Sequence, residues 1–189
     1  VLLYNADDPL CAMVALRVQN KAISFGVGED LHQQQNKVSD AQMCQRCSAM
    51  FTYEYRQYGQ LGTYSCPNCG FSRPDLDFAA KNAVFGNEIT FDVEETATGN
   101  HVSLRAQRAG VYMVYNVMAA WLASHVAGVS DEVFQQAVDL FDPQNGRLQS
   151  LTIQGRSVLL NLAKNPTGFN QNMKLITQAP GKKVAAFFI

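Results

Sequence analysis

The sequence predicts an α/β fold with a metal-stabilised insert, and two observations support this prediction. Short β-rich apolar runs alternate with amphipathic helical stretches, which indicates α/β layers built on parallel strands. A polar, turn-rich stretch with two Cys-x-x-Cys pairs interrupts this alternation. With 189 residues and 47% hydrophobic content, the chain can bury one core, or one core and part of a second.

The first predicted elements are a strand, a capped helix and a second strand. Residues 1–4 form a short apolar run of the buried-strand type. Asp8 is placed to cap a helix that has Pro9 at its first position and runs to about Val18. The second strand is predicted over Ala22–Val27. These three elements therefore precede the interruption in the pattern.

After the interruption, the pattern predicts two strands followed by two helices. The two helices are separated by Gly128, a helix stop, and Ser130, a helix cap. The predicted ranges are Ile89–Val93, Val102–Ala106, Tyr112–Val126 and Asp131–Phe141. We expect the helices to cover the sheet.

A turn-forming stretch over residues 142–146 marks a domain boundary, which we place near residues 145–150. The pattern then restarts as strands 151–154 and 157–162, helix 168–178 and strand 183–189. The predicted domains are therefore 1–148 and 149–189. Both ends of the chain are apolar runs without a cap, so we expect a fragment of a longer protein.

The two Cys-x-x-Cys pairs predict a structural zinc site. The ligands are Cys44, Cys47, Cys66 and Cys69, and this spacing is typical of four-thiolate sites made of two facing knuckles. A thioredoxin-type redox motif needs only one such pair, at the start of a helix. Four protein ligands leave no open position for water or substrate, so we expect the metal to fold the cysteine insert, residues 40–75.

Charge and hydropathy exclude several classes of function. The formal net charge is −1, and the charges within the cysteine insert are balanced. Binding to nucleic acid needs clustered Lys and Arg, so we expect no nucleic-acid partner. The sequence also shows neither a transmembrane segment nor a signal peptide, and we expect a cytoplasmic protein.

A few polar residues are candidates for ligand binding, although the chain has no phosphate loop of the P-loop type. Asn116 can offer a donor and an acceptor to an adenine edge, or it is a cap or solvated residue. Arg147 can hold phosphate in a bidentate manner, or it forms a surface ion pair. Lys164 follows a predicted strand, where α/β proteins bind ligands. Asp7 and Asp8 are interpreted as turn and helix-cap residues, and the catalytic residues stay unassigned.

Four segments, taken in chain order, resemble motifs of the Mur ligase family. They are Asn5–Pro9 (NADDP), Gly110–Ala120 (GVYMVYNVMAA), Gly146–Arg147 and Asn161–Pro166 (NLAKNP). In the family these places hold a strand-end motif of the central domain, a G-x-H-N-x-x-N-x-x-A-A helix start, a hinge arginine and a D-Y-A-H-N-P loop. The family's His and first Asn are Tyr112 and Met113 here, and its loop Asp is Asn161.

The resemblance implies a Mur ligase central ATPase-type domain with an inserted four-cysteine zinc ribbon, followed by part of a Rossmann-like C-terminal domain. It further implies that Asn116 contacts adenine, that Arg147 contacts the phosphates, and that Asn161 and Lys164 face the nucleotide. The implied cofactors are structural Zn²⁺, ATP and Mg²⁺. The phosphate loop and the magnesium ligands of the family lie outside this sequence, so we expect these residues to be inactive alone.

Within the family, the zinc ribbon and residues 164–171 (KNPTGFNQ) are similar to the branch that amidates lipid II. That resemblance implies a synthetase subunit that activates the D-glutamate α-carboxylate of lipid II at the inner face of the membrane. Its heterodimer partner would be a glutaminase similar to GatD, which supplies ammonia during peptidoglycan synthesis. Two alternatives remain open: a non-catalytic zinc-ribbon adaptor, and a Mur ligase that adds an amino acid.

Overall fold

The computed structural model describes residues 1–33, 42–86, 88–107, 110–141, 149–178 and 180–187. The chain divides into two compact units, residues 1–140 and 141–189. We expect the boundary between residues 148 and 149. Residues 142–148 lie outside the described part of the chain, so this boundary stays a prediction.

In its described residues, the first unit contains a five-stranded sheet, a separate two-stranded hairpin and three helices. The strands are β1 (Leu2–Asn5), β2 (Ala22–Val27), β3 (Thr52–Tyr58), β4 (Leu61–Ser65), β5 (Phe78–Phe85), β6 (Ile89–Glu95) and β7 (His101–Ala106). The helices are α1 (Pro9–Ala15), α2 (Val111–Val126) and α3 (Asp131–Asp139). Every strand and helix predicted for this unit is present; α1 ends three residues and α3 two residues before the predicted position.

The sheet is mixed, with the strand order β1-β2-β5-β6-β7. Strands β1, β2 and β5 are parallel, whereas β5, β6 and β7 are antiparallel, so the expectation of a parallel sheet is wrong for half of it. The sequence prediction also missed β5. Its register shifts between Lys81 and Val84, and Asn82 has a φ of 55°, so a bulge breaks the alternation that identifies a strand.

Helix α2 packs across the sheet to form the main core. Val114, Met118 and Leu122 are fully buried, and their spacing of four residues places them on one face of the helix. They belong to one cluster with Ile89, Phe91 and Leu104 of β6 and β7. Helix α2 ends where predicted, because Gly128 has a φ of 85°. Helix α3 then begins after Ser130, whose Oγ accepts a hydrogen bond from the Val133 N–H.

The cysteine insert contributes to two cores. Around the cysteines, Phe51, Tyr64 and Phe71 form a small aromatic cluster with Ala12 and Met13 of α1. At the other end of the β3–β4 hairpin, Leu61 belongs to the main core. The insert is therefore joined to the α/β layers at both ends of its hairpin.

The second unit contains an antiparallel hairpin and a helix. The hairpin strands are β8 (Gln149–Ile153) and β9 (Arg156–Leu160), and the helix is α4 (Pro166–Gln178), each within about two residues of its prediction. The strand predicted over residues 183–189 is wrong for its described part, because residues 183–187 have no strand structure. A strand needs a neighbour for its backbone groups, and an apolar run alone does not provide one.

Among the described residues, no helix combines the length and apolar character needed to cross a membrane.

Candidate functional site

The four cysteine sulfurs converge at metal-binding distance. Their Sγ atoms all lie within 4.8 Å of one another. The Cys44 and Cys69 sulfurs are 3.6 Å apart, and the Cys47 and Cys66 sulfurs are 3.4 Å apart. A tetrahedral zinc ion with Zn–S bonds of about 2.3 Å needs sulfurs about 3.8 Å apart. The cluster therefore fits zinc, and none of the four cysteines forms a disulfide.

Each cysteine pair lies in a backbone turn of the same design. In the first, the Ser48 N–H donates to the Cys44 carbonyl over 2.8 Å, and in the second, the Gly70 N–H donates to the Cys66 carbonyl over 3.0 Å. Ser48 and Gly70 both have left-handed backbones, with φ of 60° and 72°. Gly70 suits this conformation because it lacks a Cβ. The turn aims both sulfurs of a pair at one point.

Hydrogen bonds and burial shift the pKa values of two of the thiols in opposite directions. A hydrogen bond from the Asn68 side chain, with smaller contributions, lowers the pKa of Cys47 to about 6. The Phe71 backbone lowers the pKa of Cys69, but desolvation and the three neighbouring thiols raise it to about 12. Four thiolates at this separation repel one another, so a bound cation is what makes the fully ionised set favourable.

A second polar cluster lies at the carboxyl edge, which we define as the ends of β1 and β2. Asp7 is fully buried there. Its Oδ2 accepts hydrogen bonds from the Val27 N–H over 2.9 Å and the Tyr115 hydroxyl over 2.7 Å. Its Oδ1 accepts from the Arg73 guanidinium over 2.9 Å. A buried carboxylate needs such partners, and Asp7 obtains them from three separate elements.

Burial raises the pKa of Asp7, while Arg73, Tyr115 and the Val27 N–H act in the opposite direction. Burial and the neighbouring Asp7 also raise the pKa of Tyr115 well above its ordinary value, so the hydroxyl stays a donor. Gly26 makes room for the carboxylate, because a Cβ at this position would lie 2.6 Å from Asp7 Oδ1. The local packing is therefore built around Asp7.

The interpretation of Asp7 as a turn residue missed this role, whereas the interpretation of Asp8 is confirmed. Asp8 Oδ1 accepts a hydrogen bond from the Leu10 N–H over 2.9 Å and caps α1. Asp7 N–H donates to Asn5 Oδ1 over 3.0 Å, which turns the chain at the end of β1. Asp7 and Asp8 are adjacent acidic residues before Pro9, so the sequence alone does not separate their roles. Hydrogen-bond partners distant in sequence distinguish Asp7 from Asp8.

The residues predicted to contact nucleotide lie in both units. Asn116 is exposed on α2, one residue after Tyr115. Lys164 is exposed in the segment between β9 and α4, and the Asn161 side chain donates to the Asn172 side chain. Arg147 lies outside the described residues. None of these four roles is tested by the geometry, and they stay predictions.

Comparison with known proteins gives a consistent result, although no family model matches the chain. The MurT subunit of lipid II isoglutaminyl synthase (glutamine-hydrolyzing) from Streptococcus pneumoniae is 28% identical over 181 residues, 95% of this chain and 39% of that protein. The same subunit from Staphylococcus aureus is 25% identical over 184 residues, 97% of this chain and 40% of that protein. The curated homologues that match over 95–97% of this chain are MurT subunits. The chain spans about two fifths of the length of these MurT relatives.

The structural neighbours of the chain are Mur ligases. The chain is similar to a pseudomurein peptide ligase type C from Methanothermus fervidus, with a TM-score of 0.70 and 22% identity over 91% of this chain and 33% of that one. The likeness shows a Mur ligase-like mixed α/β fold, which confirms the fold family expected from the sequence motifs.

Proposed function

We propose that this chain is part of an ATP-dependent synthetase subunit that activates the D-glutamate α-carboxylate of lipid II for amidation to D-isoglutamine. The observation that carries the proposal is the similarity to MurT subunits, which extends over 95–97% of the chain. The ammonia would come from a glutaminase partner of the GatD type. The reaction would take place in the cytoplasm, at the inner face of the membrane.

In this proposal, residues 1–148 are part of the central ATP-binding domain of a Mur ligase, and residues 149–189 begin its Rossmann-like domain. The four cysteines would hold Zn²⁺ as a structural ion within a ribbon. Sulfur separations of 3.4 and 3.6 Å between knuckles support this part of the proposal. With all four positions filled by protein, the metal takes no part in the chemistry.

The chemistry requires activation because a carboxylate is a poor electrophile. Transfer of the ATP γ-phosphoryl group to the carboxylate, with release of ADP, creates a leaving group that ammonia then displaces as phosphate. The protein mainly positions the reactants and neutralises phosphate charge. Asn116 would bind the adenine edge, Arg147 the phosphates, and Asn161 and Lys164 would face the nucleotide. Mg²⁺, when bound, would neutralise phosphate charge.

The test uses the full-length protein together with its glutaminase partner. Lipid II, glutamine, ATP and Mg²⁺ are incubated with the complex, and the product is weighed by mass spectrometry. Amidation replaces a hydroxyl by an amine, which lowers the mass by about one unit. The proposal requires that this change depend on ATP and on glutamine.

A matched pair of variants assigns the adenine contact. Asn116→Ala removes an exposed amide from α2, whereas Asn100→Ala removes an exposed amide from the turn between β6 and β7. We expect Asn116→Ala to raise the KM for ATP about tenfold and Asn100→Ala to leave it unchanged. Equal KM values for the two variants would remove Asn116 from the nucleotide site.

The other outcomes separate the alternatives. A mass gain equal to one amino-acid residue, which is the amino acid less one water, would indicate an ordinary Mur ligase. A complex that binds zinc but neither binds ATP nor changes lipid II would indicate a zinc-ribbon adaptor. Either result would overturn the proposal.

A further inference from the structure

The cysteine insert reaches the carboxyl edge through Arg73. This residue follows the second cysteine pair, and its backbone N–H donates to the Tyr64 carbonyl over 3.0 Å, within the insert. Its guanidinium Nη1 lies 2.9 Å from Asp7 Oδ1 and 3.1 Å from the Val27 carbonyl. Arg73 is only slightly exposed, and Asp7 is fully buried. The insert therefore provides the positive charge that a buried carboxylate at the carboxyl edge requires.

The same carboxylate fixes the early part of helix α2. The Tyr115 hydroxyl donates to Asp7 Oδ2 over 2.7 Å, and the two residues are 108 positions apart in sequence. Tyr115 is buried, so losing this acceptor would leave its hydroxyl without a hydrogen bond away from water, which is unfavourable. Asn116, the predicted adenine contact, is the next residue of the helix. The rotation and depth of α2 at this point therefore depend on where Asp7 lies.

Two more contacts join the hairpin tip of the insert to the same place. The Gly62 N–H donates to the Asp7 carbonyl over 3.1 Å. The rings of Tyr58 and Tyr115 meet edge to face with their centroids 5.8 Å apart. The insert thus contacts both Asp7 and the helix that Asp7 holds.

Loss of order in the insert would remove Arg73 from the hydrogen-bond network of Asp7, Arg73 and Tyr115. Without Arg73, the Asp7 carboxylate keeps, among the described residues, only the Val27 N–H and the Tyr115 hydroxyl as hydrogen-bond donors. Two donors are too few for a buried charge. It then either moves toward water or takes up a proton. In both cases Tyr115 loses the charged acceptor that fixes α2. The metal-bound and metal-free forms therefore differ at the nucleotide-facing helix.

We propose that Asp7, Arg73 and Tyr115 are positioning residues that couple metal binding in the cysteine insert to nucleotide binding at helix α2. This inference rests on the proposed function, because it requires that α2 bind ATP. Coupling between two sites is reciprocal: if the metal tightens ATP binding, ATP tightens metal binding by the same factor. We expect that factor to be about tenfold, within the usual range for coupled sites.

The experiment measures zinc affinity rather than activity. The full-length protein with its partner is titrated with a zinc chelator in the absence of nucleotide and at saturating ATP. For the natural sequence, we expect the dissociation constant for zinc to fall about tenfold when ATP is present. In Tyr115→Phe, which removes one hydroxyl and keeps the ring, we expect the two constants to agree within about twofold.

Three further variants separate positioning from a general loss of structure. Tyr53→Phe is the matched control, because its hydroxyl donates to the Gln60 carbonyl within the insert and does not contact Asp7. It should keep the tenfold coupling. Arg73→Met should lose the coupling, and Arg73→Lys should recover part of it, because lysine restores the charge without the planar fork.

The possible results have distinct meanings. If the natural protein binds ATP but its zinc affinity is the same with and without ATP, the inference is overturned and the proposed function stands. Equal coupling in Tyr115→Phe and Tyr53→Phe would also overturn it, because the network would then carry no part of the effect. A protein that binds zinc but shows no ATP binding at all would overturn both proposals.

Discussion

At the scale of single residues, Asp7 links parts of the chain that are distant in sequence. Its carboxylate is bound by groups that lie 20, 66 and 108 positions away. Each of these partners lies in a different part of the fold, and each donates a hydrogen bond to the buried carboxylate. Together these bonds offset the cost of burying its charge. The three partners therefore hold β1, β2, the cysteine insert and α2 in a fixed relation.

Gly26→Ala tests the fit around Asp7 without removing any hydrogen-bond partner. A Cβ at position 26 would lie 2.6 Å from Asp7 Oδ1 and 3.0 Å from the Leu76 side chain, so the carboxylate would have to move. We expect the free energy of unfolding to fall by about 1–3 kcal/mol, as for other overpacked sites. Chemical denaturation followed by tryptophan fluorescence measures it, because Trp121 is the single tryptophan and is buried in the main core.

Gly28→Ala is the matched control for this substitution. Its Cβ would meet the Ala79 methyl group at 3.1 Å and the Lys81 side chain at 3.4 Å, and no buried charge. We expect a loss below about 1 kcal/mol. If Gly28→Ala costs as much as Gly26→Ala, the space beside Asp7 has no special role.

At the scale of elements, the β3–β4 hairpin belongs to two cores. Its cysteine end packs with Phe51, Phe71 and α1, whereas Leu61 at its tip packs in the main core. A short ribbon cannot bury much apolar surface by itself, and these two contacts supply part of what it lacks. A metal bound by the four cysteines and packing in the main core would therefore stabilise the same element from opposite ends.

Leu61→Ala tests this assignment. Leu61 is 6% exposed, and its truncation leaves a cavity in the main core. We expect the free energy of unfolding of the first unit to fall by about 2–5 kcal/mol, as for other large-to-small substitutions in a core. Met50→Ala is the control within the same insert, because Met50 is 53% exposed and should cost less than about 1 kcal/mol. Similar losses for the two variants would contradict the assignment of Leu61 to the main core.

At the scale of the whole molecule, the joined cores predict that a metal bound by the four cysteines would stabilise the first unit as a whole. From the sequence alone, loss of a zinc ligand is expected to unfold the insert and to leave the rest of the core intact. The packing of Leu61 and the Arg73–Asp7 contact indicate a wider effect. The insert and the α/β layers should therefore unfold together.

Cys66→Ser tests that expectation. We expect the bound zinc to be lost and the unfolding midpoint reported by Trp121 fluorescence to fall, because the metal contributes folding free energy on the order of 10 kcal/mol at such sites. Metal analysis and thermal denaturation give the two readouts. Cys11→Ser is the control, because Cys11 lies on α1 outside the four-sulfur cluster, and it should keep its zinc. Retention of zinc by Cys66→Ser would refute the ligand assignment, and an unchanged Trp121 midpoint would show that the insert unfolds independently.

The features that depend on interactions between residues close together in sequence were predicted well. The cap at Asp8, the stop at Gly128 and the cap at Ser130 depend on one to three neighbouring residues, and each is found where it was predicted. The cysteine spacing likewise predicted four sulfurs converging on one point, since each Cys-x-x-Cys turn is a local structure.

The sequence by itself therefore determined the order of most helices and strands, the four-cysteine cluster and the resemblance to Mur ligases. Only the tertiary structure decided which neighbouring strands are parallel and which are antiparallel, the presence of the bulged strand β5, and the burial of Asp7. Strand direction depends on which strands become neighbours, and the role of Asp7 depends on partners up to 108 positions away. Such long-range contacts leave no periodic signal in the sequence, because they arise only when separate elements meet in the folded chain.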